Sequence, residues 1–334
     1  MKKNHILATL AVMTLAAPLA SCSSDDAQPS AEQGREIRFQ SNLTAHQTTR
    51  ATGSYEKFAQ GQIFYVWADQ NIEDESRSEE FITAWQLTVK SNIDEFQYGG
   101  NKMFPAYNSL NFYAIHGNFV ETPVVVNETP WPEAFLTHTV KSSQLTEDDM
   151  MTSDLVFART LDQTPSPNKV QLHFWHLLSK VEVALLHGNG ITDDQLTDGA
   201  GKVTVTLLGV NTQVKLKTPT GKLSTLDLTA QSGRESLIEV IDETGSDIDV
   251  ETITTADIES DNCAAAIVAP QEVDGRFIKL EYLGHVTYYS VDHLTLKSGY
   301  RYRFNITLDR IGDTYTITPT IDPWANESQN VWVE

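Results

Sequence analysis

Two histidines, His173 and His176, stand three residues apart in LHFWHLL, a spacing that could invite a metal ion. The segment is rich in Val, Leu and aromatic residues and reads as a strand. On a strand, positions three apart point to opposite faces, so the pair cannot share a metal without a bulge. Each is expected in a core or at an edge instead. Asp69, Asn71, Glu73 and Glu75 in DQNIEDE offer oxygen ligands of the kind a calcium loop uses. The glycine that an EF-type loop needs at its sixth position is missing, and a solvated acidic loop is expected. Paired carboxylates could cleave glycosides, and Trp67, Trp85, Trp131 and Trp324 could stack on sugars. With 45 Asp and Glu residues no pair stands out, and core packing is the commoner role of a tryptophan. The sequence lacks GxSxG, HExxH, Walker, GxGxxG and CxxC patterns. No catalytic residue, metal or cofactor is expected.

Two other positions invite chemistry done to the chain rather than by it. The chain opens MKKNHILATLAVMTLAAPLASC, with Lys2 and Lys3 ahead of a short apolar stretch, which reads as a secretory signal peptide over 1–22. Leu19-Ala20-Ser21-Cys22 matches the lipobox of bacterial lipoproteins. There the Cys22 thiol would carry a diacylglycerol thioether and its amine an acyl chain, enough lipid for stable anchoring. Asp25 and Asp26 resemble the signal that sends lipoproteins of Bacteroidia to the outer face of the outer membrane. The second position is the Arg50–Ala51 bond in HQTTRATGS, a run of small and polar residues open to an arginine-specific protease.

The elements that must position these groups are strands. EIRFQSNL alternates, with Ile37, Phe39 and Leu43 on one side. IFYVWAD, LNFYAIHG, ETPVVVNE, KVTVTLLGV, QVKLKTPTGKLS, AAAIVAP, RFIKLEYLG, HVTYYSVD and TYTITPTI read alike, and KVQLHFWHLLSKVEVALLHG is the longest apolar segment. YRYRFNITL sets Tyr300, Tyr302, Phe304, Ile306 and Leu308 against Arg301, Arg303, Asn305 and Thr307. Helical stretches are few: SQLTEDDMMTSD, with Ser143 or Thr146 as cap, ITDDQL and TADIESDN. This pattern predicts an all-β protein of antiparallel sandwiches. TPSPN at 164–168 is the best domain break. The formal net charge of −21 and pI near 4.7 disfavour nucleic acid, whose phosphates need a basic face. Cys263 has no partner if Cys22 is acylated, so the cores must hold the chain together without a disulfide.

Taken in order, several elements resemble one family. After the lipobox come Ile37-Arg38-Phe39, then Thr49-Arg50-Ala51, then Gly61-Gln62-Ile63-Phe64-Tyr65-Val66. Asp154-Leu155-Val156-Phe157-Ala158 is followed by Phe174-Trp175-His176-Leu177-Leu178-Ser179-Lys180-Val181. A strand over 299–308 then leads to Ile321-Asp322-Pro323-Trp324. The chain thus resembles the fimbrillins of the Bacteroidia-type (type V) pilus, of the Mfa-like group. The resemblance implies two transthyretin-like β-sandwich domains, over 51–166 and 167–334, behind a tether and removable first strand over 23–50. It implies an outer-membrane lipoprotein precursor, exposed at the surface, cut after Arg50 and released into an extracellular fimbrium. Removing Ile37, Phe39 and Leu43 would open a groove for a strand from another pilin subunit. Val331 and Val333 are the expected donor side chains. The alternative is a surface-anchored lipoprotein that does not polymerise and binds glycans or another host or bacterial surface ligand, including a pilus-tip adhesin. A glycan hydrolase is a third class, without support in the sequence.

Overall fold

The computed structural model describes residues 34–43, 58, 60–72, 78–90, 95–121, 123, 136–197, 202–217, 225–241, 245–250, 253–254, 265–311 and 314–323. In chain order these form β1 (Phe39–Leu43), β2 (Ile63–Asn71), β3 (Ser78–Val89), β4 (Phe96–Tyr98), β5 (Leu110–His116), β6 (Thr137–Thr139), β7 (Ser143–Gln144), α1 (Glu147–Ser153), β8 (Val156–Gln163) and β9 (Val170–His176). There follow β10 (Ser179–His187), α2 (Asp193–Thr197), β11 (Thr204–Val210), β12 (Gln213–Leu216), α3 (Gln231–Glu235), β13 (Ile238–Val240), β14 (Ser246–Val250) and β15 (Ile253–Thr254). The last are β16 (Ala266–Val268), β17 (Gln271–Tyr282), β18 (His285–Leu296), β19 (Arg301–Ile311) and β20 (Thr314–Pro323). The fold is all-β, as the alternating pattern predicts. Most pairings are antiparallel, while β1–β9, β10–β15, β10–β19 and β7–β14 run parallel.

A seven-stranded sheet in the order β1-β9-β8-β5-β2-β3-β4 makes the first half. Both of its faces are covered. Phe64, Val66 and Ala68 of β2 enter one core with Phe112, Leu172 and Phe174, while Trp67 enters another with Tyr113, Ile115 and Phe157. This is why IFYVWAD carries apolar residues without a polar alternation. The second half packs β18-β17-β11-β14-β7 against β15-β10-β19-β20, with β16 paired to β10. Val183, Leu185, Phe304 and Ile306 meet Val205, Leu207, Ile248 and Ile278 in the space between. A three-stranded sheet, β13-β12-β6, supplies Val214, Leu216 and Ile238 to the core that holds Trp67.

KVQLHFWHLLSKVEVALLHG divides into β9 and β10, which belong to different sheets. TPSPN lies in the connection from β8 to β9, so the chain leaves the seven-stranded sheet only at Leu177–Leu178. Thr146 caps α1, its hydroxyl accepting from the Asp149 N–H at 3.2 Å. TADIESDN and Cys263 lie outside the described residues.

Candidate functional site

Strand β1 is an edge strand with a core strand's burial. Glu36, Arg38 and Gln40 face outward, and the Arg38 guanidinium meets the Glu36 carboxylate at 2.6 Å. The alternate residues point in: Ile37 is 1% exposed, Phe39 0% and Ser41 8%. Leu43 holds the last ladder position, opposite Phe174. On one side β1 runs parallel to β9, from Phe39 opposite Val170 onward, and the Val170 N–H donates to the Arg38 carbonyl at 2.7 Å. On the other side the chain just before β1 meets the stretch after β4. There the Ile37 N–H donates to Lys102 O at 2.8 Å and the Phe104 N–H to Arg35 O at 2.9 Å.

β1 and β4 stand at opposite ends of the sheet order, yet they touch. The Phe39 N–H donates to the Tyr98 hydroxyl at 2.8 Å, and that hydroxyl faces the Phe39 carbonyl at 3.4 Å. Burial raises the Tyr98 pKa above its ordinary value, so the group stays protonated and can donate as well as accept. The twisted sheet has rolled until its ends meet, and residues 35–41 close the seam. Inside the seam the Phe39 ring packs edge-on to Phe112 at 5.1 Å and tilted against Trp85 at 5.8 Å.

The chain returns to this core at Phe58, whose ring lies 4.5 Å from that of Phe64 and 5.2 Å from that of Phe174. Arg50 and Ala51 fall between β1 and Phe58 and lie outside the described residues, as do Cys22, Val331 and Val333. Both ends of the connection that carries Arg50 are thus fixed in one core.

The remaining sequence candidates are occupied elsewhere. His173 is exposed, whereas His176 is buried with Nδ1 2.5 Å from the Asp154 carboxylate. The two do not come together, as the strand spacing predicts. The Asn71 side-chain oxygen accepts from the Asn111 amide at 2.7 Å, and Asp69 is buried. Glu73 and Glu75 lie outside the described residues. Trp67 and Trp85 are core residues and offer no sugar platform, and Trp131 and Trp324 lie outside the described residues. An open cleft of about 520 Å³ lies between the start of β2, the end of β5 and α1, lined in part by Gln62, Tyr65, Asn118, Phe119, Glu121 and Asp148. Sequence reasoning missed Tyr98 and the 102–104 backbone; EFQYGGN carries no mark that its tyrosine meets a strand fifty-nine residues away.

In solved structures the same fold recurs. A candidate cell adhesion protein from Bacteroides ovatus superimposes with a TM-score of 0.58 at 18% identity, covering 89% of this chain and 100% of its own. One from Bacteroides uniformis gives 0.53 at 16% identity, again covering 89% and 100%. No curated protein matches the sequence. The model of the fimbrillin-like family matches residues 49–324, from the threonine before Arg50 to Trp324, and the chain therefore belongs to that family.

Proposed function

We propose that this chain is a structural subunit of a cell-surface pilus, made as a precursor anchored through Cys22 and released by cleavage after Arg50. In this reading Ala51 becomes the new N-terminus, an arginine-specific protease makes the cut, and neighbouring subunits join by strand donation. The observation that carries it is the seam. Residues 35–41 bury Ile37 and Phe39 and supply main-chain bonds on both sides, yet they join the rest of the chain through the stretch that holds Arg50. A cut there leaves Phe58 in place and turns β1 into a separable segment. Its loss would expose the pockets of Ile37 and Phe39, each worth roughly 1.5–3 kcal/mol of burial. It would also leave the N–H and C=O groups of β9 and of 102–104 without partners. Such an edge recruits an extended strand, and donation from head to tail gives an open fibre.

The same reading assigns 1–22 to the signal peptide and 23–50 to the tether and removable strand. Two sandwich domains follow, over 51–166 and 167–334, with β9 of the second span paired into the first sheet, which the chain leaves at Leu177–Leu178. Val331 and Val333 are assigned to the strand given to the next subunit, and no residue has a catalytic role. N-terminal sequencing of the protein from purified fibres tests the proposal. The expected first residue is Ala51, and Arg50→Ala should hold the protein at the membrane. Protein found only as a lipid-bearing monomer, with residues 23–50 intact, would refute it.

A second reading, a glycan-binding surface protein, draws on the cleft beside Tyr65 and Phe119. Its described lining combines the rings of Tyr65 and Phe119 with the amides of Gln62 and Asn118 and the carboxylates of Glu121 and Asp148, stacking faces and hydrogen-bond partners that suit sugar hydroxyls. Adhesion to neutral glycans that is lost in Tyr65→Ala, without fibre formation, would favour it.

A further inference from the structure

The hairpin of β17 and β18 gathers a set of side chains that no local motif marks, because they come from two strands. Val273 pairs with Leu294 and Gly275 with Val291, so Asp274 alone on β17 faces two residues of β18, Asp292 and His293. The extra residue makes a β-bulge, and His293 takes up a left-handed backbone there, with φ 46°. On a regular strand, consecutive side chains point to opposite faces. At this bulge the ligand atoms of Asp274, Asp292 and His293 lie within 4.8 Å of one another. Among the described residues they are the one set of three His, Cys, Asp or Glu side chains gathered so closely.

Two further observations bear on what the set would hold. Glu272, on the same strand as Asp274, meets the His293 Nδ1 at 2.9 Å. A carboxylate only accepts, so the proton sits on Nδ1 and the lone pair on Nε2, which stands 4.0 Å from the Asp292 carboxylate. A carboxylate behind the imidazole is the support that metal-binding histidines use. The balance of charge is the second observation. The Glu272 hydrogen bond, and then the charges of Asp274, Glu272 and Asp292, raise the His293 pKa above its ordinary value. No lysine or arginine among the described residues pairs with these three carboxylates, and Arg276, two residues from Asp274, lies over the Tyr288 ring at 4.4 Å. Like charges this close repel, and a cation among them relieves the repulsion.

We propose that Asp274, Asp292 and His293 form a binding site for a divalent transition-metal ion of the Zn²⁺ kind, with Glu272 orienting the imidazole. One nitrogen and two carboxylates suit zinc better than calcium or magnesium, which take shells of oxygen. A tetrahedral zinc with bonds of about 2.0–2.2 Å holds its ligands about 3.3–3.6 Å apart. Small rotations close that gap, since the Asp292 and His293 side chains are 98% and 71% exposed. Three protein ligands leave a fourth position to water or to a donor from another molecule. β18 is the outer strand of its sheet, so the site lies at an edge. The inference does not depend on cleavage at Arg50.

The test titrates the full chain with zinc chloride against a chromophoric zinc chelator, beside His293→Asn, Asp292→Asn and Glu272→Gln. All three positions are exposed and asparagine tolerates the left-handed backbone at 293, so the variants should keep the fold. The unaltered chain should take up one ion at its strong site. His293→Asn and Asp292→Asn should weaken that binding about 100-fold and Glu272→Gln about 10-fold. Zinc should also slow amide exchange at 291–294 in the unaltered chain and not in His293→Asn. Strong binding that stays within about 3-fold in His293→Asn would place the ion elsewhere in the chain and overturn the proposal. Calcium bound more tightly than zinc would overturn it too. Zinc taken up only at about millimolar concentration, by every variant alike, would mean adventitious contact with exposed carboxylates and would also refute it.

Discussion

Strands β1 and β19 are both parallel partners of a neighbour, but they are held in different ways. β1 matches β9 over five positions, and across the seam it meets an isolated bridge from Glu36 to Met103 and the hydroxyl of Tyr98. β19 matches β10 over eight positions and β20 over ten, so a continuous ladder runs along each side. Its apolar face enters the second core. Its other face joins a buried ion cluster, where Glu182 meets Arg301 at 3.0 Å, Arg303 at 2.8 Å and Lys180 at 3.8 Å. The contrast teaches how differently two strands of one chain can be held. β1 keeps its side chains in a core while leaving one side without a full ladder, and in the strand-exchange proposal this is what would let it leave without unfolding its neighbours. β19 has no such side.

The largest effect should come from the strand with a ladder on each side. Glu182 is fully buried, and Glu182→Gln takes away the carboxylate that both guanidinium groups share. We expect a loss of about 3–5 kcal/mol, read from urea unfolding of the whole chain. A loss under about 1 kcal/mol would mean that the cluster does not anchor β19.

Next comes Phe39→Ala. In the uncut chain it should cost about 3 kcal/mol, the usual range for a buried phenylalanine. After cleavage in 44–50 and removal of the strand, the same substitution should cost nothing, since the residue has gone. If the two forms differ by less than about 1 kcal/mol, β1 does not stabilise the precursor and the contrast with β19 collapses.

Much of this contrast was legible in the sequence, and its failures are instructive. Ile37 and Phe39 alternate with Arg38 and Gln40, and the structure buries the first pair and exposes the second. YRYRFNITL was equally clear in its alternation, but Arg301 and Arg303 are buried on the face expected to be polar. Strand periodicity reports that side chains alternate; it does not report what covers each face. β3 escaped notice because SEEFITAWQLTV mixes charge with aromatic residues, and its register shifts against β2 around Ala68. The parallel partner of β1 was not legible, since pairing Phe39 with Val170 is a long-range choice that no local signal records. Tyr98 was hidden for the same reason.

Acid should weaken a third place, around β6 and α1, before the ladders of β19. His138 is buried, its Nδ1 accepting from the Asn118 N–H at 3.0 Å and its Nε2 2.9 Å from Ser153 O, which fixes a neutral ring. Burial lowers its pKa from 6.5 to about 4, and burial also lowers that of His116. The hydrogen bond to Ser153 O at His138 and that to Ile63 O at His116, and then the Asp154 charge, partly offset these shifts. Because the folded pKa is depressed, the unfolded chain binds the proton first. Stability is fully present above about pH 6.5 and is lost as pH falls toward 4, by about 2 kcal/mol at pH 5 from His138 alone. Hydrogen exchange at pH 7 and pH 5 should show β6 and α1 opening while β10 and β19 stay protected. Equal loss in all four would mean that acid acts on the whole fold.

The smallest effect, and the most specific, is Tyr98→Phe. The ring keeps its place against Phe39 and Trp85, while the hydroxyl that stands in for a neighbouring strand is lost. One neutral hydrogen bond is worth about 1 kcal/mol, so the global midpoint should move little. The Phe39 amide, left without its acceptor, should exchange about 5-fold faster, with no change at the Val170 amide on the other side of β1. An unchanged Phe39 amide would show that the seam is closed by side-chain packing alone. A faster Val170 amide would show that the seam and the β9 ladder open together. β1 would then leave as one unit, and the side-by-side difference that separates it from β19 would lie in the length of its ladder rather than in the hydroxyl across the seam.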